Sequence, residues 1–292
     1  MLRLLVAQRA WERISREAER RRPAEAVLYP LAALVPEPAV SPLEELDWDA
    51  VSQLVITDVL LPPPEAVDAG PTHVRFFPTA AGEASRVLQG QAEQLVRQHP
   101  RLALLTKLHS HPFPGGDFLS AGDVSCNVQR PASRAWWQER GLAAALLGVL
   151  YPGDPWRLAC FRVDFAGEIR RFADGVVVPD DDPAVVRALA PPYWRSAAGA
   201  AWCDRTKARL RRQGWEVSRN LLPRGWRRLL VRPAGQAWRV LCLPPDLPAA
   251  GVRILEVVDA ARDRFHLQRV LPPVADIEDL DLVAALAEEA EP

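Results

Sequence analysis

Cysteine is scarce in this sequence and never closely paired. Cys126, Cys160, Cys203 and Cys242 stand far apart, with no C-x-x-C among them. That spacing supports neither a four-thiolate zinc site nor a disulfide framework. Each cysteine is read instead as a small core residue. Long apolar runs are also missing, since none approaches the roughly 20 residues that a membrane helix needs. The N-terminus offers only Leu4, Leu5 and Val6 before Arg9 and Trp11, too short for the apolar stretch of a signal peptide. A cytoplasmic location without membrane contact is expected by elimination. Charge of either sign is not in excess: the net charge is -1, with 25% charged residues. Overall charge therefore names no partner. Methionine occurs once amid plentiful Arg, Ala and Pro, the composition of a GC-rich bacterial genome.

What is present suffices for folding. The 292 residues are 49% hydrophobic, enough for one large domain or two modest ones, each with a real core. Helical composition over 7–22 stops at Pro23. Short apolar runs at 26–35, 52–60, 102–108, 142–151 and 157–165, and an alternating run at 73–78, read as strands. The span 81–99 has helical period, and a helix is expected to begin near Ser120. Gly167 marks a turn. The fold class is therefore α+β over residues 1–178. The Pro- and Asp-rich stretch within 179–195 reads as a linker, although Val185 to Leu189 is compatible with a helical turn. A smaller α+β domain is expected over 196–292: a helix at 197–213, then antiparallel strands near 215–220, 226–232, 237–243 and 252–258. From Asp276 the tail has acids and no Lys or Arg, and reads as a solvated helix or frayed end.

Chemistry concentrates in KLHSHPFPGGDFLSAGD, residues 107–123. His109 and His111, at i and i+2 of an extended segment, point the same way. A loop then returns Asp123 at the start of a helix. These side chains suit zinc, and three protein ligands leave the fourth tetrahedral position open, as in catalytic rather than structural zinc sites. Taken apart, each half has a common reading: HxH pairs are frequent, and Ser120-x-x-Asp123 is a capping box. Together, in one fixed order, they are far more specific. His73, His99 and His266 lack partner spacing and are read as non-ligands.

His109-Ser110-His111-Pro112, seven residues, then Ser120-x-x-Asp123 resembles the JAMM signature of MPN-domain (JAB1/MPN/Mov34) zinc metallopeptidases, in particular bacterial deubiquitinase-like members. The resemblance covers residues 1–178 and implies a curved mixed sheet flanked by helices. It implies one Zn2+ per chain held by His109, His111 and Asp123. It also implies a glutamate upstream, after a helix and opening an apolar strand. Glu25 stands in that place, with Leu28 where the family usually has glycine. By the same resemblance Glu25 is the general base and then acid, and Ser120 stabilises the oxyanion. Ser110 is read as a spacer, and Asp117 as an exposed loop acid or a lining of the substrate channel. The implied activity is cleavage of the amide bond after the C-terminus of a ubiquitin-like protein, in processing or deconjugation. The implied partners are that protein or its conjugates, and E1/E2-like proteins of the same pathway, antiviral defence included. Alternatives are a peptidase acting on a sulfur-carrier protein, or a non-catalytic MPN scaffold.

Residues 205–232 hold ten Lys or Arg against Glu216, with Trp202, Trp215, Trp226 and Trp238 interleaved or close by. Such a run can bind nucleic acid. It can equally be the wet face of a helix and strands with Trp as core, and nucleic acid is not the expected partner. The role of this domain is left open.

Overall fold

The N-terminal Leu4, Leu5 and Val6, set aside above as too short for a signal, form the strand on which the first sheet closes. In the computed structural model, residues 2–71, 73–76, 81–154, 156–232, 237–259 and 264–287 are described. The chain divides into two units: Met1–Pro38 with Glu45–Ala190, and Ala39–Glu44 with Pro191–Pro292.

The first unit opens with β1 (Arg3–Ala7) and α1 (Gln8–Arg21). Helix α1 buries Ala10, Ile14 and Ala18, spaced by four along one face. It ends just before Pro23, as the sequence predicts. Then come β2 (Val27–Leu34), β3 (Gln53–Leu60), β4 (Val67–Gly70), β5 (His73–Phe76), α2 (Ala81–Gln98) and β6 (Lys107–Ser110). Short helices α3 (Ala121–Val124) and α4 (Pro131–Gln138) precede β7 (Ala145–Pro152), β8 (Trp156–Val163), β9 (Ile169–Val178) and α5 (Pro183–Leu189). Seven strands, in the order β1-β3-β2-β6-β7-β8-β9, close into a barrel. Closure depends on β1, which pairs in parallel with both β3 and β9. The sheet is mixed, because β6 and β7 are parallel while β2 and β3 are antiparallel.

Three strands of this unit carry no clear signature in the sequence, and one of them, β4, is only four residues long. Strand β1 is only five residues long and ends straight into a helix. Strand β9 shows mostly exposed or half-buried side chains, so its hydrophobic pattern is weak. The expected strand over 102–108 is displaced: Ala103 makes one isolated bridge to Ala32, and the ladder runs from Lys107 to Ser110. His109 therefore lies within the strand and His111 just beyond it. The end of the expected 73–78 strand lies outside the described residues.

The second unit consists of α6 (Ala197–Arg212), a five-stranded antiparallel meander and α7 (Leu282–Ala287). The strands are β10 (Glu216–Leu221), β11 (Arg227–Arg232), β12 (Arg239–Leu243), β13 (Val252–Asp259) and β14 (Arg264–Leu271), in that order across the sheet. Strand β14 went unassigned because its sequence mixes polar and apolar residues without a clean period. The acidic tail, expected as a solvated helix or frayed end, does form a helix over Leu282–Ala287 but is not solvated: Ile277, Leu280, Leu282, Val283 and Leu286 are buried in this unit's core. Its acids are not idle either. Glu278 pairs with Arg205, and Asp281 with Arg209 at 2.9 Å. Arg219 and Arg232 also face acids, Asp204 and Glu216, while Trp202 and Trp226 are core. Much of the basic run is thus balanced within the unit. The segment 39–44 belongs here, held by Arg253, which pairs with Glu44 and donates to the Ala39 carbonyl at 2.6 Å. Cys160, Cys203 and Cys242 are buried as expected; Cys126, on the helical turn Ser125–Gln129, is instead exposed and is not a core residue.

Candidate metal centre

Strand β6 sits between β2 and β7, so its residues are fixed on both sides. Val27 pairs with His109, and His109 in turn with Val149. Past the strand end, the His111 amide still donates to the Leu150 carbonyl at 2.8 Å. The two imidazoles converge, with Nε2 atoms 3.1 Å apart. Asp123 completes the group, its carboxylate oxygens 3.3 Å from His109 Nε2 and 3.8 Å from His111 Nε2. His109, His111 and Asp123 form a group able to hold a metal ion.

The spacing permits a test of fit. Ligand bonds of about 2.0–2.1 Å at tetrahedral angles place donor atoms roughly 3.3 Å apart. The two imidazole nitrogens are 3.1 Å apart, and each lies 3.3 or 3.8 Å from a different oxygen of the Asp123 carboxylate. The hydrogen bonding agrees. His111 Nδ1 lies 2.7 Å from the Gly116 carbonyl, which can only accept, so Nδ1 carries the proton and Nε2 keeps its lone pair. Asp123 is oriented just as firmly: Ser120 donates to Oδ2 from its backbone N at 2.8 Å and from Oγ at 2.7 Å. Burial pushes the Asp123 carboxyl up, but His109 and the two Ser120 bonds outweigh it and hold the group well below the usual carboxylate range. Burial, then the charge of His109, lowers the His111 pKa, which favours the neutral imidazole a metal requires.

Glu25 is buried beside this group, with Oε1 4.0 Å from His111 Nε2. Burial raises its pKa to about 7; His109 acts against this and Asp123 adds to it. Its backbone is anchored twice. The Glu25 amide donates to the Gly70 carbonyl at 2.8 Å. The next amide, Ala26, donates to Ser110 Oγ at 2.8 Å. Ser110, read from sequence as a spacer, thus ties the glutamate segment to the histidine strand. Only the alternation of the strand hinted at this, by placing Ser110 opposite the histidines.

Ser120 is the N-cap of α3, and both bonds of the capping box are present. Its single hydroxyl proton goes to Asp123, so in this state the residue positions a ligand and does not face an open oxyanion space. The loop 112–119 wraps His111: Phe113 stacks on its ring at 5.2 Å and Phe118 lies at 5.3 Å. Gly116 is required there, because a Cβ on it would fall 2.5 Å from the Cβ of His111. Asp117 pairs with Arg171 of β9 at 2.9 Å, pinning the same loop to the sheet. His99 points Nδ1 at the Leu189 carbonyl, and His266 lies on β14 of the second unit. The His73 side chain is outside what is described.

No protein-family model matches the chain, and no curated protein does so either. Among solved structures it is similar to the solution structure of protein DSY2949 from Desulfitobacterium hafniense. That likeness has 14% identity, covers 60% of this chain and 93% of the other, and has a TM-score of 0.35. A likeness this weak carries no argument about fold or function. Among the described residues, no helix is long and apolar enough to cross a membrane.

Proposed function

We propose that this chain is a zinc-dependent isopeptidase of the JAMM kind, cutting the amide bond that follows the C-terminus of a ubiquitin-like protein. The observation that carries the reading is the convergence of His109 Nε2, His111 Nε2 and the Asp123 carboxylate, with buried Glu25 beside them. A zinc ion held by these residues would supply a Lewis acid and a water nucleophile near neutral pH. The chain's own groups do the rest. Glu25, buried with its pKa raised to about 7, would accept a proton from the nucleophile and deliver it to the leaving amine. Ser120 holds Asp123 in place; the oxyanion role implied by the resemblance requires its hydroxyl to turn away from Asp123. The Gly116 carbonyl fixes the His111 tautomer. The presence of a full ligand set with an adjacent carboxylate favours an enzyme over an MPN scaffold.

One other metal suits two histidines and a carboxylate: iron(II), held facially in six-coordinate sites. Separations of 3.1–3.8 Å accommodate either ion, and the zinc reading rests on the resemblance of the motif.

The test uses a ubiquitin-like protein fused through its C-terminus to a reporter, with wild type, Glu25→Gln and Asp123→Ala compared. Wild type is expected to release the reporter. Glu25→Gln should lose about 10²–10⁴-fold in rate yet keep its metal, whereas Asp123→Ala should lose both. Full activity in Glu25→Gln would remove Glu25 from the proposed role.

A further inference from the structure

Where β2 and β6 meet, the ladder is completed by a side chain. Val27 pairs with His109 and Leu28 with Leu108. The same antiparallel register sets Ala26 opposite Ser110 and Glu25 opposite His111. A hydrogen-bonded antiparallel pair ordinarily exchanges two main-chain bonds. Here the Ser110 amide donates to the Ala26 carbonyl at 2.9 Å, but the return bond differs. The Ala26 amide donates to the Ser110 hydroxyl, at 2.8 Å. The hydroxyl stands in for the strand's own carbonyl at the last rung before Glu25. Ser110 is fully buried, so bulk water does not reach the Ala26 amide in its place.

Beyond this rung the two chains part. The Glu25 amide turns to the Gly70 carbonyl on β4, and the His111 amide to the Leu150 carbonyl on β7. The two side chains are left with a gap between them: Glu25 Oε1 is 4.0 Å from His111 Nε2, beyond hydrogen-bond reach. The histidines are fixed from the β7 side, where His109 pairs with Val149, and so do not depend on the Ser110 hydroxyl. Glu25 has no such neighbouring strand. Its segment hangs between the Gly70 carbonyl and the rung at Ser110.

We propose that Ser110 is a positioning residue for Glu25, its hydroxyl setting the gap across which the carboxylate works. This rests on the role given to Glu25 in the isopeptidase reading and extends it to a residue that touches neither metal nor substrate. The hydroxyl is what matters: threonine keeps it, alanine deletes it, and valine has the shape of threonine without it.

The test reads the position of Glu25 without cleavage. Zinc-loaded full-length protein is titrated with acetohydroxamate, a small zinc ligand whose N–H and O–H groups hydrogen-bond a carboxylate beside the metal. Wild type is expected to bind it, and Glu25→Gln to bind it about tenfold more weakly, the worth of one bond to a charged group. Ser110→Ala should reproduce that loss with its zinc content unchanged. Ser110→Thr should bind about tenfold more tightly than Ser110→Val. On the ubiquitin-like fusion, the loss in Ser110→Ala should fall on kcat, about 10²-fold for a misplaced group, and leave KM unaltered. If Ser110→Ala binds acetohydroxamate as wild type does while Glu25→Gln does not, the proposal is overturned and the isopeptidase reading stands. A serine that only satisfies the Ala26 amide would give that result, with a lowered Tm. Equal binding by wild type and Glu25→Gln, or none by wild type, would also overturn it, because the carboxylate would then not face a metal. The expected order of affinities in a wild type that cleaves no fusion would instead sink the isopeptidase reading and uphold the place of Ser110 beside Glu25.

Discussion

The two units bury charge in opposite ways. In the second, buried Arg253 grips Glu44 and the Ala39 carbonyl, and Arg239 donates to the Leu286 carbonyl. Each of these guanidinium groups meets a complementary acceptor, and the result is a fastening. In the first, His109, His111, Asp123 and Glu25 bring donor atoms of the same kind together around a shared space. Lone pairs that face one another are unfavourable without a cation between them. Burial of polar groups is therefore not itself a sign of function; convergence of like donors is.

That contrast can be broken by substitution. Removing one partner of a buried pair leaves an uncompensated charge. Arg253→Ala should therefore cost about 3–5 kcal/mol of stability, measured by denaturant unfolding, with cleavage per folded molecule unchanged. Glu25→Gln should do the reverse and abolish cleavage without lowering Tm. If the two variants behaved alike, the distinction between fastening and site would fail.

Gly116→Ala sharpens the first unit's side of the comparison. Its Cβ would have to displace the His111 backbone or the loop, disturbing the carbonyl that orients His111. Loss of such a supporting bond typically weakens metal affinity about 10–100-fold, to be read by competition with a chromogenic chelator. Arg171→Ala, which frees Asp117 at the same loop, breaks two exposed pairs, to Asp117 and to Asp174; its effect should be smaller, about 1 kcal/mol or less.

A similarly small effect is expected on α1. Burial raises the Glu17 pKa, but the forked bonds from Arg20 and Arg21 outweigh it, so the net shift is downward. A depressed carboxylate contributes stability that is present above its unfolded value near 4.5 and is lost as pH falls through the folded value. Glu17→Gln should thus cost about 1 kcal/mol at pH 7, and the gap from wild type should close below pH 4. An equal gap at pH 3 and pH 7 would show that packing, not charge, is responsible.

Much of this was legible in the sequence, for identifiable reasons. The ligand trio could be read because its spacing is local: the 15 residues from His109 to Asp123 hold all three candidate ligands. Helices α1, α2 and α6 could be read because their apolar period runs for three turns or more. Barrel closure could not, since it depends on β1 meeting β9 across some 170 residues of chain. The role of Ser110 is hidden because its partner, the Ala26 amide, is distant in sequence. The tail's burial is hidden because its acids dominate the composition, while Ile277, Leu280 and Leu286 fold inward.

The central claim is that His109, His111 and Asp123 form a zinc site, and elemental analysis addresses it most directly. Purified wild type and a His109→Ala/His111→Ala variant would be compared after expression with zinc and without chelators. The account predicts about one zinc per wild-type chain and none in the variant. Wild-type protein free of zinc, or holding iron in its place, would contradict it.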